Sequence, residues 1–195
     1  MKSLVIWGVP RSGKTTLANR VRREFGHGVV QLDAMKRVYD ALRPEDGIYA
    51  SAMTNRAEAR LMAAMLVPLI QCLSWRNALG EYHAFEGVGF DPDHVLPALA
   101  AGERAIPPES LIVLCLGYAE IEPEAKVREI ERYETAADWS ARYDVEEKLR
   151  LVQAYREESV AARETAARLG LRYFDVSFDR EGVLEEAMTY IRDRM

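Results

Sequence analysis

Ser3-Leu4-Val5-Ile6-Trp7, followed at once by Gly8-Val9-Pro10-Arg11-Ser12-Gly13-Lys14-Thr15, decides the fold. The first five residues are apolar after Ser3, as a strand covered on both faces must be. The next eight spell G-x-x-x-x-G-K-[ST] in full. The glycines let backbone N–H groups turn inward around phosphate oxygens, and a helix that follows adds the positive end of its dipole. Lys14 is placed to reach β- and γ-phosphates, and the Thr15 hydroxyl to ligate magnesium. The motif needs a strand before it and a helix after it. Residues 15–25 supply the helix, with Leu17, Val21 and Phe25 as its apolar stripe.

Outward from this unit, short β-rich runs alternate with helical stretches. Strands are expected at 29–32, 82–86, 111–116 and 173–176. Helices are expected at 34–42, 124–133, 145–169 and 180–192. A longer one is expected over 53–79, bent or divided near Pro68 and stopped by Gly80. Five strands with helical crossovers predict a three-layer α/β/α, doubly wound, five-stranded parallel sheet, which binds ligands at the carboxyl ends of its strands.

The chain has 195 residues, enough for one ordinary domain and too few for two. Its net charge of -5 and pI near 5.4 disfavour general nucleic-acid binding, which usually brings a basic surplus. The apolar run at the N-terminus is too short for a signal peptide or a membrane span, so a cytoplasmic protein without a membrane partner is expected. A monomer or homodimer is anticipated. Cys72 and Cys115 lie in apolar stretches and read as buried free thiols.

With GVPRSGKTT after a first strand, the chain resembles the P-loop kinases of nucleotides and small metabolites. That group includes adenylate kinase-like, gluconate kinase-like and shikimate kinase-like enzymes. The resemblance is specific over roughly the first 35 residues and topological beyond them. It implies a P-loop NTPase fold over 1–195 with strand order 2-3-1-4-5. It also implies a substrate-binding helical region at about 34–80, a lid at about 117–143, and adenine held near 176–179. ATP and Mg2+ are the implied cofactors, held by Gly8, Pro10, Arg11, Ser12, Gly13, Lys14, Thr15 and Thr16.

The same resemblance assigns most of the remaining candidates. Asp33, at the end of the second strand, would bind the acceptor hydroxyl or take its proton; it also suits a helix N-cap. By position rather than by resemblance, Arg37, one turn further on, is a candidate to hold an anionic group of the substrate, and Arg56 and Arg60, four apart on the next helix, are candidates to face the cleft. Glu86, after the third strand, would support the magnesium with Thr15, where an aspartate is commoner. Among lid arginines, Arg128 and Arg132 share a helix face and are the catalytic candidates, with Arg142 nearby.

These readings favour transfer of a phosphoryl group from Mg-ATP to a small-molecule hydroxyl. A nucleoside monophosphate kinase, and an ATP-binding switch without a small acceptor, stay open as alternatives.

Overall fold

The structure is a computed structural model that describes residues 1–48, 55–136 and 138–195, with backbone alone at 55 and 56. The opening run forms β1 (Ser3–Gly8), the centre of a five-stranded sheet. Its neighbours are β3 (His83–Gly87) and β4 (Leu111–Gly117), with β2 (Gly28–Gln31) and β5 (Arg172–Asp175) at the edges. All pairs are parallel, in the order β2-β3-β1-β4-β5. In register, Ile6 lies opposite Glu86 on one side and Leu114 on the other.

Alternation along β1 builds the two outer layers. Leu4 and Ile6 pack with Leu17 and Val21 of α1 (Lys14–Phe25) and with Leu184 and Met188 of α7 (Arg180–Arg192). Val5 and Trp7 pack on the opposite face with Met62, Leu66 and Ile70 of α3 (Asn55–Ser74) and Val95 of α4 (Pro92–Leu99). Phe85 of β3 is fully buried in that second layer. Phe85→Ala is expected to cost about 3–5 kcal/mol, read as a lower urea midpoint with unchanged slope.

The phosphate-loop glycines have steric reasons. Gly8 sits at φ +135°, and a Cβ there would stand 1.9 Å from the Leu116 carbonyl oxygen. Gly13 is the N-cap of α1 in the left-handed region, φ 97°. Both positions exclude side chains so that the loop can curl between β1 and β4.

Several expected boundaries move. The helix expected from 34 starts two residues sooner, as α2 (Leu32–Leu42), with Gln31 at its N-cap. Asp33 therefore falls in the first turn and is free of the capping role. α3 runs undivided through Pro68, and a 3-10 turn, Trp75–Leu79, carries the chain to Gly80. α4 was not expected: eight residues containing Pro97 give too little periodicity, and only Asp91, which caps it by accepting from Asp93 N at 3.0 Å, marks its start.

Cys115 is buried, but Cys72 is exposed on the outer side of α3. The stretch Ala57–Leu79 is long and apolar enough, by composition, to cross a membrane, contrary to the expectation that no such run exists. In this fold it lies on the sheet with Met62, Leu66 and Ile70, spaced four apart, turned into the core.

Candidate active site

The loop between β1 and α1 wraps a pocket at the carboxyl ends of the strands. Lys14 is buried, and its ammonium donates to the Val9 carbonyl at 2.6 Å, an oxygen that also accepts from Ser12 Oγ at 2.9 Å. Burial holds Lys14 below the ordinary lysine range, and the pull of Asp33 and Glu86 does not fully offset it. A buried cation with so little counter-charge in contact is an anion site.

Glu86, at the end of β3, is buried and accepts from Thr15 Oγ1 at 3.0 Å. Its carboxyl is raised above the usual range, chiefly by desolvation and further by Asp33, against the Thr15 bond and Lys14. The parallel register of β1 and β3 brings these two oxygens together, since Glu86 pairs with Ile6 just below the loop. Asp33 lines the same pocket, and its Oδ1 accepts from Val88 N at 2.9 Å. Its second oxygen has no partner among the described residues.

The roof comes from the segment after β4. α5 (Pro123–Tyr133) turns Glu129, Ile130 and Tyr133 toward the pocket, and Asp138 and Trp139 of the following turn complete it. This roof is tied to the phosphate loop. Arg11 donates to Ser140 Oγ, pairs with Asp138 at 3.2 Å and lies 5.8 Å from the centre of the Trp139 ring. Arg11 itself stands in the left-handed region at φ 62°. From the other side Tyr118 donates to the Pro10 carbonyl at 2.9 Å.

The lid arginines are not in this arrangement. The inner faces of α5 carry Lys126, Val127, Glu129 and Ile130, which leaves Arg128 and Arg132 exposed; Arg132 rests on Tyr133, 5.4 Å from the ring centre. Arg142 is likewise exposed, against Tyr143. Two other cations stand nearer the loop. Arg180, the first residue of α7, lines the pocket and donates to Thr16 Oγ1 at 3.0 Å. Lys126 is fully buried, 4.7 Å from the centre of the Tyr118 ring and paired with Glu129 at 3.0 Å. Burial lowers its pKa, against Glu129, and the charges of Arg180 and Arg11 add to the lowering. Sequence gave a signal only for Arg180, as the basic residue opening the helix after the last strand.

A second cavity, about 670 Å³, lies across the loop and shares Pro10 and Val88 with the first. Trp7, Phe90 and Tyr155 form its aromatic walls, and Lys36, Glu58 and Glu158 its charged ones. Glu158 comes from α6 (Val145–Arg168). Arg37 is exposed and lines neither cavity, because Lys36, not Arg37, is on the inward side of α2. Arg60 is also exposed, and the Arg56 side chain lies outside the described residues. At the expected adenine end, Val176 is buried and Asp179 caps α7, which leaves Phe178 exposed.

No family model matches the chain, and no curated protein matches it. Solved structures do. A gluconokinase from Sinorhizobium meliloti 1021 aligns at TM-score 0.62 and 13% identity, over 98% of this chain and 92% of that one. A sugar kinase from Janibacter sp. HTCC2649 aligns at 0.63 and 18%, over 98% and 95%. A shikimate kinase from Bacteroides thetaiotaomicron aligns at 0.60 and 14%, over 98% and 97%. The fold of the whole chain is therefore that of the P-loop small-molecule kinases.

Proposed function

We propose that this chain is a phosphotransferase that moves the γ-phosphoryl group of Mg-ATP to the hydroxyl of a small molecule. One observation carries the reading. Asp33 lines the phosphate pocket, and the backbone N–H that anchors it belongs to Val88, which lines both cavities. A donor bound on one side and an acceptor on the other would meet at that carboxylate.

The roles follow from chemistry. Lys14 exchanges its bond to the Val9 carbonyl for β- and γ-phosphate oxygens, and the loop from Gly8 to Thr16 presents N–H groups to the rest. Thr15 and Glu86 offer hard oxygen donors that suit magnesium, directly or through water. When bound, the metal neutralises charge on the transferring group. Asp33 orients the acceptor hydroxyl and takes its proton through the free oxygen. Arg180, which lines the pocket, takes over the charge-neutralising role expected of Arg128 and Arg132. The monophosphate-kinase alternative wants cations around the acceptor. Among the described residues the second cavity instead offers two carboxylates and one lysine, which favours a hydroxyl acceptor.

Glu86→Gln tests the metal assignment. Apparent Mg2+ affinity is expected to fall about 10- to 100-fold. The free protein, relieved of a buried carboxylate, is expected to melt at a higher temperature. Unchanged magnesium dependence would remove Glu86 from the metal site.

The overall reading is tested by ADP release with ATP and magnesium across pools of sugars, sugar acids, nucleosides and amino sugars. Stimulation by one pool, lost in Lys14→Ala, is the expected result. ATP binding without stimulation by any pool would turn the interpretation toward a nucleotide switch.

A further inference from the structure

The second cavity has a charge pattern that says what kind of acceptor it takes. Glu58 is engaged by Lys36 at 2.5 Å. Glu158, on the opposite wall, has neither hydrogen-bond nor ion-pair partner among the described residues. Glu158 is exposed to solvent, yet the protein around it still holds its carboxyl above the ordinary range. Desolvation is the main cause, Glu58 adds to it, and Lys36 opposes it. The other walls include the rings of Trp7, Phe90 and Tyr155 beside aliphatic residues such as Val9, Ile48 and Ala162, with Trp7 and Phe90 6.1 Å apart between centroids. The Trp7 indole N–H is buried without a partner among the described residues.

An unpaired carboxylate at the exposed rim of a cavity with aromatic walls suits a cation: the carboxylate supplies charge-assisted hydrogen bonds, and ring faces attract an ammonium. Among the described residues, a carboxylate or phosphate on the acceptor would instead face two glutamates and a lysine that is already engaged. At about 670 Å³ the cavity holds a ligand of one or two sugar rings. Taking Asp33 as the residue that presents the hydroxyl, as proposed above, we infer that the acceptor is a polyhydroxylated compound bearing a protonated amine, an amino sugar or aminocyclitol, with Glu158 as the amine's partner.

Two matched series isolate the charge. Glucosamine, glucose and gluconate share one skeleton; 2-deoxystreptamine, myo-inositol and quinate share another. With ATP and magnesium, the amine member of at least one series is expected to give the highest kcat/KM, about tenfold or more above its neutral analogue. Glu158→Gln, isosteric at an unpartnered position, is expected to raise KM for the amine about tenfold, to leave kcat nearly unchanged, and to spare the neutral member. Preference for gluconate or quinate, or equal use of neutral and amine members, overturns the inference and leaves the phosphotransferase standing. Turnover of none by a protein that binds ATP overturns the inference, and the wider acceptor pools then decide the phosphotransferase reading separately.

Discussion

Replacing Lys14 by methionine is expected to lower kcat/KM for phosphoryl transfer by about 10³-fold or more, with no loss of folding stability. The rate effect follows from where charge develops. The γ-phosphoryl oxygens gather charge in the transition state, and Lys14 meets them from inside a buried pocket where a single cation is worth far more than in water. The stability effect has the opposite source. In the free protein this ammonium is held below its normal pKa by desolvation, so carrying its charge costs the fold. Its one hydrogen-bond acceptor, the Val9 carbonyl, keeps Ser12 as a donor when Lys14 is gone. Methionine keeps the length of the side chain and leaves no cavity. Steady-state ADP release and thermal unfolding on the same preparation check both halves. Transfer within tenfold of the parent would mean that the loop does not hold the reacting phosphates.

Asp33→Asn comes second, with an expected fall in kcat of about 10²- to 10⁴-fold and little change in ATP affinity. The amide preserves shape, and its oxygen can still accept from Val88 N, so the loop after β3 stays anchored. What disappears is the carboxylate oxygen available to a hydroxyl proton. Nucleotide affinity, measured by titration calorimetry, separates this from collapse of the site. If kcat stays within threefold, Asp33 serves only as the Val88 anchor. A nucleotide switch would also be almost indifferent to the substitution.

How much of this was legible in the sequence depended on whether chemistry was spelled in consecutive residues. The phosphate loop was, because its sterics and its charge sit in eight neighbours. Asp33 and Glu86 were legible as acids at or just beyond strand ends, since a parallel sheet delivers those ends to one rim. Arg128 and Arg132 lie away from the pocket, which the sequence did not tell, because i,i+4 spacing says which residues share a helix face but not which way that face turns. Packing of Val127 and Ile130 against Val152 decided it. Arg37 failed for the same reason by one position, with Lys36 turned inward instead. Glu158 could not be paired with Glu58 in advance: they are a hundred residues apart, and only the course of α6 across the sheet brings them to one cavity. α4 was too short and too proline-rich to leave a periodic trace.

Arg11 belongs to the loop that cradles phosphate, yet its guanidinium is held by Asp138 and Ser140 of the roof. One side chain thus answers to two claimants. A phosphate that draws Arg11 inward must break the roof contact, and a roof that retains Arg11 withholds it from the phosphate. If a bound phosphate takes Arg11 from the roof, nucleotide affinity and the roof contact are linked, and each acts on the other by the same factor.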